Sequence, residues 1–167
     1  IKFVTEKTTP ENNYEFVDLA LPSGVKWASY NVGATKPEEY GDYFAWGEIT
    51  TKEDYQSSNC ATYQKELGDI SGNPEYDAVA AQWGGNWRMP KLEDMYELVT
   101  QCEWIWSTVN NVSGFNVMSK ENGNHIFLPA SGFKVGVEDA MDKDVFGYYW
   151  TSTPFSEEIE GGANSNT

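Results

Sequence analysis

Apolar and polar positions alternate along residues 14–21, a period of two that is typical of a strand with one buried face. The apolar positions on that face are Val17, Leu19 and Leu21. Residues 22–24, Pro-Ser-Gly, have the composition of a turn. Residues 25–32 are then predicted to return as a second strand, with Trp27 as its anchor in the core. We therefore predict that the domain begins with a hairpin.

Two helices are predicted on either side of the segment Trp-Gly-Gly-Asn-Trp-Arg-Met-Pro, residues 83–90. The first is predicted to open at Pro74 and run through Trp83, with Gly84 where a C-terminal glycine belongs. The second is predicted over residues 91–102, without a side-chain cap at Lys91. Apolar residues spaced by three and four define its predicted buried face: Leu92, Met95, Tyr96 and Val99.

The remaining pattern is that of short strands and loops. A strong hairpin signal surrounds the turn at residues 120–124. The predicted strands are residues 104–108, 115–118, 125–128 and a last aromatic strand at 147–154. Residues 31–48 are predicted as an ordered, aromatic loop over the core. These elements predict a loop-rich α+β fold in which two short helices pack on small antiparallel sheets and hairpins.

The domain boundaries follow from changes in composition. Residues 1–13 are predicted to be a linker or N-terminal extension, and one domain is predicted over residues 14–155. Residues 156–167 form a polar, acidic tail. We expect the chain to be a processed or trimmed fragment of a longer protein.

The net charge of the chain limits the kinds of partner that are expected. Asp and Glu number 26 against 11 Lys and Arg, a net charge of −15. Nucleic acid and anionic membrane surfaces attract basic patches, so neither is an expected partner. No apolar run is long enough to enter and cross a bilayer. Fifteen Gly and 25 aromatic residues (seven Trp, ten Tyr, eight Phe) predict a turn-rich fold held by bulky rings.

The two cysteines, Cys60 and Cys102, leave two alternatives open. They form one disulfide in an exported protein, or they are two small buried thiols. Two cysteines are too few for a disulfide scaffold or a four-ligand zinc site.

A series of motifs in order along the chain resembles the Fibrobacter succinogenes major paralogous domain, a family abundant in exported Bacteroidetes proteins. The resemblance runs from about residue 14 to about residue 154. The motifs are residues 15–24, Trp27-Ala28, Asn31-Val32-Gly33-Ala34, residues 37–48, 83–90 and 102–106, residues 123–130 and residues 147–153.

The resemblance implies a C-type-lectin-like fold, in the branch that includes formylglycine-generating enzymes. It also implies a secreted or cell-surface setting, often on a lipoprotein, and no defined reaction. Members of the family usually have Thr at the position of Lys91 and continue through further strands after residues 147–153, so we expect this chain to be truncated relative to the family. Oxidation of the formylglycine-generating type needs a cysteine pair near the C-terminus, and Cys60 and Cys102 match neither position.

Candidate binding residues are few. The tryptophans in the family motifs are predicted to be core residues: Trp27, Trp46, Trp83, Trp87 and Trp150. Aromatic residues near the end of the domain are predicted to be on the surface and to bind a ligand: Tyr148, Tyr149 and Phe155. Arg88 is predicted to form a buried pair with a carboxylate. His125, the only histidine, is predicted to flank a hairpin without a catalytic role.

An acidic loop offers weak calcium ligands, since calcium binds six to eight oxygen atoms. The candidates are Asp139, Asp142 and Asp144, beside Glu138. Their spacing is not that of an EF-hand, and a solvated acidic loop is the simpler interpretation. No other cofactor is expected.

The sequence therefore predicts a non-catalytic, surface-exposed module of an exported bacterial protein that binds a protein or glycan ligand or mediates adhesion. A structural or assembly domain without a small ligand is the alternative. A formylglycine-generating-like oxidase is a second alternative, against which the cysteine positions argue.

Overall fold

The computed structural model of the protein describes residues 4–5 and 14–154. It is an α+β domain with two small antiparallel sheets and two short helices, as the sequence predicted. One sheet has the strand order β2-β3-β1-β4 and the other has the order β5-β6-β7. The strands are β1 (Val4–Thr5), β2 (Phe16–Val17), β3 (Lys26–Ala28), β4 (Trp87–Arg88), β5 (Cys102–Val109), β6 (Val112–Ser119) and β7 (His125–Pro129). The α-helices are α1 (Ala78–Trp83) and α2 (Leu92–Gln101), and residues Ser57–Asn59 form one turn of 3-10 helix. None of these helices is long and apolar enough to cross a membrane.

The prediction of a linker over residues 1–13 is wrong at residues 4–5, which form strand β1. Val4 pairs with Trp27 of β3 on one side and Arg88 of β4 on the other. Its side chain has no solvent exposure. Residues 4–5 therefore belong to the first sheet, and the polarity of residues 1–13 as a whole hid a single buried valine. The other residues of that segment, and those of the predicted tail, lie outside the described part of the chain.

The first hairpin forms with shorter strands than predicted. Its turn closes through the Gly24 amide, which donates to the Leu21 carbonyl at 2.8 Å. Trp27 is 1% exposed and anchors the core as expected. Ala20 has a φ of 50°, and its amide donates to the Asp18 carboxylate at 2.9 Å. This left-handed residue interrupts the extended backbone, so the alternating pattern continues past the end of β2.

Asp77 organises the start of α1. One carboxylate oxygen accepts from the amides of Val79 (2.8 Å) and Ala80 (3.1 Å), a side-chain cap at the helix N-terminus. The other accepts from the amides of Gly72 (2.7 Å) and Met89 (2.8 Å). Because this cap decides where the helix starts, α1 begins after Asp77 and not at the predicted proline. The predicted C-terminal glycine, Gly84, caps α1 with a φ of 64°.

The predicted buried face of α2 is wrong. Three of its four residues are more than half exposed: Leu92 at 57%, Tyr96 at 71% and Val99 at 56%. The buried side chains are Asp94 and Leu98. Asp94 pairs with Arg88 of β4 and accepts from the Lys91 amide at 2.7 Å. The ion pair and Leu98 thus set the rotation of the helix, and the apolar stripe faces solvent.

The two tryptophans of the 83–90 segment are buried, as predicted: Trp83 is 6% exposed and Trp87 is 1% exposed. Their rings meet edge to face at 5.0 Å, and Tyr14 stacks on Trp83 at 4.1 Å. Buried indole N–H groups usually have a hydrogen-bond partner, but the Nε1 atoms of Trp27 and Trp87 have no acceptor among the described residues.

The predicted hairpin around residues 120–124 is confirmed by the pairing of β6 with β7, and β5 pairs with the other edge of β6. The turn between β5 and β6 consists of Asn110 and Asn111, with φ values of 48° and 67°. Two consecutive positive φ angles are what a two-residue hairpin turn requires. The last predicted aromatic strand, residues 147–154, does not form; among these residues only Gly147 makes a β-bridge, to Gly132.

Candidate functional site

Two clefts join on one surface of the domain. The larger has a volume of about 660 Å³ and the smaller about 460 Å³. Four residues line both: Phe44, Tyr55, Lys134 and Trp150. We call the joined clefts the aromatic groove. Its other aromatic lining residues are Tyr40, Tyr43, Trp46, Tyr63, Phe133, Tyr148 and Tyr149.

The wall around Lys134 is held by backbone bridges. Tyr55 and Gly136 exchange two backbone hydrogen bonds of 2.8 Å, which tie the 50s loop to the 130s loop. Phe133 and Met141 exchange two more, of 3.1 and 2.9 Å. Both bridges lie close to Lys134 in sequence, so the position of its backbone is set by contacts to two other parts of the chain.

Gly132 is required where this wall approaches the 140s loop. Its φ is 63°, and a Cβ atom there would lie 1.8 Å from the Met141 carbonyl oxygen. Only glycine avoids both the strain and the overlap. The wall of the groove therefore depends on glycine at position 132.

The rings in the groove are fixed through their polar tips. The Tyr43 hydroxyl donates to the Ser131 carbonyl at 2.5 Å, and the Tyr55 hydroxyl donates to the Tyr43 carbonyl at 2.6 Å. The indole N–H of Trp150 donates to the Phe44 carbonyl at 3.0 Å. With these groups satisfied by the protein, what each ring offers a ligand is its apolar face.

Charge in the groove is opposite to that of the chain. Three lysines line it, Lys52, Lys65 and Lys134, against one acidic residue, Asp42. The Lys134 ammonium lies 5.5 Å from the ring centroid of Tyr43 and 5.9 Å from that of Tyr55. Cation–π attraction holds it there. Among the described residues, no carboxylate lies within ion-pair distance of Lys134.

The three residues predicted to bind a ligand differ in their positions relative to the groove. Tyr148 is 54% exposed and lines the groove. Tyr149 is half-buried, and its hydroxyl donates to the Pro129 carbonyl at 2.7 Å. Tyr149 is therefore mainly a packing residue that shows one side to the groove, against the surface position predicted for it, and burial raises the pKa of its phenol. Phe155 lies outside the described residues.

Trp150 was predicted to be a core residue and is not one. It is 48% exposed and lines both parts of the groove. Trp46 is half-buried, with its indole N–H donating to the Thr151 carbonyl at 2.9 Å. The other residues that sequence reasoning missed are Tyr43, Tyr55 and Lys134. Lys134 is far from the two tyrosines in the chain, and no local pattern marks the three residues as one site.

Asp144, one of the calcium candidates, has structural contacts. Its carboxylate accepts from the Ser113 amide at 2.7 Å. Burial, followed by the neighbouring Asp144 carboxylate, raises the pKa of Tyr40 to about 12. In the part of the chain that the structure describes, no three His, Cys, Asp or Glu side chains are grouped to hold a metal ion. Calcium binding by Asp139, Asp142 and Asp144 stays a prediction.

The cysteines are not bonded to each other. Cys102 is buried and Cys60 is half-buried, close to Thr62. Burial raises the pKa of the Cys102 thiol. His125 is exposed at the start of β7, the hairpin flank expected for it.

A second apolar surface shares only Gly147 and Tyr149 with the groove. Trp106 and Phe115, directly opposite on β5 and β6, pack edge to face at 4.9 Å. They are 47% and 36% exposed. With Met95 of α2 and Trp104 they line a small cavity of about 240 Å³. This surface borders the exposed helix α2.

Comparisons of the chain with protein-family models, curated proteins and solved structures find no match.

Proposed function

We propose that this chain is a non-catalytic ligand-binding module and that the aromatic groove is its binding site. The observation that carries the proposal is the combination of exposed ring faces, at Tyr148 and Trp150, with a lysine held between two further rings. Binding sites are typically concave and mostly apolar, with a few well-placed polar groups. The size of the larger cleft falls in the range common for such sites.

The setting of the module comes from the family resemblance. We propose a C-type-lectin-like domain of an exported bacterial surface protein, with a protein or glycan ligand at the cell surface. Two features support this proposal: the small antiparallel sheets packed with two short helices, and a groove built mainly from loops. An oxidase of the formylglycine-generating type is not proposed, because the cysteines do not stand where that chemistry needs them.

One observation favours the alternative, a structural or assembly domain. Leu92, Tyr96 and Val99 form an exposed apolar stripe on α2, which borders the surface of Trp106 and Phe115. Exposed apolar patches of this kind often mark contacts with another domain or protein. Assembly through this surface is compatible with a ligand in the groove, because the two surfaces use different residues apart from Gly147 and Tyr149.

Paired tryptophan variants separate the two functions. Trp150 and Trp106 are 48% and 47% exposed, so Trp150→Ala and Trp106→Ala remove similar amounts of exposed indole from different surfaces. We expect Trp150→Ala to lose binding on a glycan array and on an array of purified host and bacterial surface proteins. Trp106→Ala should keep that binding, with circular dichroism confirming that both variants fold.

Unchanged binding by Trp150→Ala would remove the groove as the site. A wild-type chain that binds nothing on either array, but whose self-association or domain contact is lost in Trp106→Ala, would favour the assembly function.

A further inference from the structure

The charge of the aromatic groove points to the kind of ligand it takes. The chain has more than twice as many acidic as basic residues, yet three lysines and one aspartate line the groove. Lys52 is neutralised by Glu48, whose carboxylate is 2.8 Å from its ammonium. Lys65 and Lys134 have no ion pair among the described residues. A local positive charge on an acidic protein is a feature that an anionic ligand can use.

Lys134 is the best placed of these cations. It lines both clefts and is half-buried, while the rings of Tyr43 and Tyr55 hold its ammonium at the junction. The one acidic lining residue does not neutralise it: the Asp42 carboxylate packs against Gly33 and makes no ion pair with Lys134. The aromatic site for a cation is thus already occupied by the protein's own ammonium, which argues against a cationic ligand and in favour of an anion.

The rings beside Lys134 suit the body of a sugar. Trp150 and Tyr148 are half exposed, and the indole N–H is taken up by the Phe44 carbonyl. A saccharide ring has C–H groups on its face, which pack against the electron-rich face of an aromatic ring. A fixed ring also costs little entropy when a ligand stacks on it.

An extended peptide fits this wall less well. A peptide that joins a sheet needs free backbone groups along a strand edge. Here the backbone N–H and C=O groups of Phe133 and Gly136, on either side of Lys134, are already bonded to Met141 and Tyr55. Main-chain pairing with a peptide at those positions would have to break existing bridges.

Nucleic acid and phosphate are also disfavoured. Phosphate is typically bound by bidentate Arg or by free backbone amides. The single Arg of the described residues, Arg88, is paired with Asp94 away from the groove. A polyanion would in addition be repelled in proportion to its charge by a chain of net charge −15. A ligand with one localised negative charge avoids most of that repulsion.

Building on the proposed binding function, we propose that the aromatic groove selects an acidic saccharide, in which a sugar ring stacks on Trp150 and Tyr148 and its carboxylate pairs with Lys134. The class includes uronic and sialic acids, which share a single carboxylate on a sugar ring. Lys134 is the residue that distinguishes them from neutral sugars.

The test is an array of sialyl- and glucuronyl-terminated oligosaccharides printed beside their neutral counterparts, with a single-stranded thymidine oligonucleotide as a further probe. We expect at least one acidic glycan to bind about tenfold or more tightly than its neutral counterpart, a preference that weakens as salt is raised. Lys134→Gln should reduce the preference about tenfold, and Lys134→Arg should keep most of it. Lys120→Gln is the matched control, because Lys120 is an exposed lysine whose ammonium donates to the Thr100 carbonyl, outside the groove.

Three results would overturn the acidic-saccharide proposal. The first is equal binding of acidic and neutral glycans, and the second is an unchanged preference for acidic glycans in Lys134→Gln. The third is that the chain binds no glycan and binds only the oligonucleotide or only proteins. In each of these cases, loss of binding in Trp150→Ala would still uphold the groove as a binding site. If Trp150→Ala binds every ligand as the wild type does, the proposed function itself fails.

Discussion

Arg88 and Asp94 form a buried ion pair between β4 and the first turn of α2. Arg88 Nη1 lies 2.7 Å from one carboxylate oxygen and Nη2 lies 3.4 Å from the other. Their side chains are 13% and 9% exposed. The same carboxylate accepts from the Lys91 amide, which begins the helix. The Asp94 side chain thus joins strand β4 to the start of α2. It also fixes the rotation of α2 about its axis, which leaves Tyr96 in solvent.

Asp94→Ala should therefore unfold far more easily than the wild type. The substitution leaves the Arg88 guanidinium buried without its partner, and breaking a buried pair in this way costs about 3–5 kcal/mol. Urea denaturation measures the loss. Glu93→Ala is the control, since Glu93 is an exposed acid in the same turn and should cost about 0.5 kcal/mol or less. Equal costs for the two variants would show that the pair contributes little.

Two glycines of the groove wall provide a matched pair of substitutions. Gly132 and Gly136 have φ values of 63° and 64°. An added Cβ would meet the Met141 carbonyl oxygen at 1.8 Å in Gly132→Ala, and nothing within 4 Å in Gly136→Ala. Both variants carry the left-handed strain of about 1 kcal/mol, and only Gly132→Ala also displaces the wall.

We expect thermal unfolding to show a clearly larger loss of stability for Gly132→Ala, with any glycan or protein binding reduced as well. If Gly136→Ala lost as much stability and binding, the close approach at Met141 would not be what shapes the groove.

Tyr40 should make the stability of the domain sensitive to alkaline pH. Its folded pKa of about 12 lies above the ordinary value of 10.0, because burial and the Asp144 carboxylate disfavour the phenolate. A raised pKa means that the folded state holds the proton more tightly, so this contribution is complete below pH 10 and is lost as pH rises toward 12.

Difference absorbance titration of wild type against Tyr40→Phe should isolate this late ionisation. Asp144→Asn should lower the pKa of Tyr40, because the carboxylate charge that disfavours the phenolate is lost. Asp139→Asn should leave the pKa of Tyr40 unchanged. If the ionisation that disappears in Tyr40→Phe lay near pH 10, it would contradict the raised pKa of Tyr40.

The two thiols should differ in reactivity. Cys60 is half-buried, whereas Cys102 is buried and burial raises its thiol pKa. A thiol reagent should modify Cys60 rapidly in the native protein, and both Cys60 and Cys102 after denaturation. The thiolate is the reactive form, and burial with a raised pKa makes it scarce at Cys102. Mass spectrometry of the peptides identifies the site. Rapid labelling of Cys102 in the native state, or no free thiol after denaturation, would contradict this arrangement.

The sequence alone determined the turns, helix ends and hairpins that depend only on neighbouring residues. The turn at Gly24, the cap at Gly84 and the hairpin of β6 and β7 around residues 120–124 follow from turn chemistry and short-range periodicity, so the sequence predicted them. The α+β class and the burial of Trp83 and Trp87 also follow, since large apolar rings beside helix signals pack inward. The resemblance to an exported family, the domain's boundary at residue 155 and its ligand class stay predictions.

Only the tertiary structure decided which apolar residues are buried and which residues meet. Leu92, Tyr96 and Val99 have the spacing of a buried face, yet the Arg88–Asp94 pair turns them outward. Val4 lies in a polar segment, yet it completes a sheet between strands far along the chain. The aromatic groove likewise combines rings and a lysine from four segments, within residues 40–46, 52–65, 131–135 and 147–150. Contacts between distant segments depend on how the elements pack, and the period of one segment carries no information about its neighbours in space.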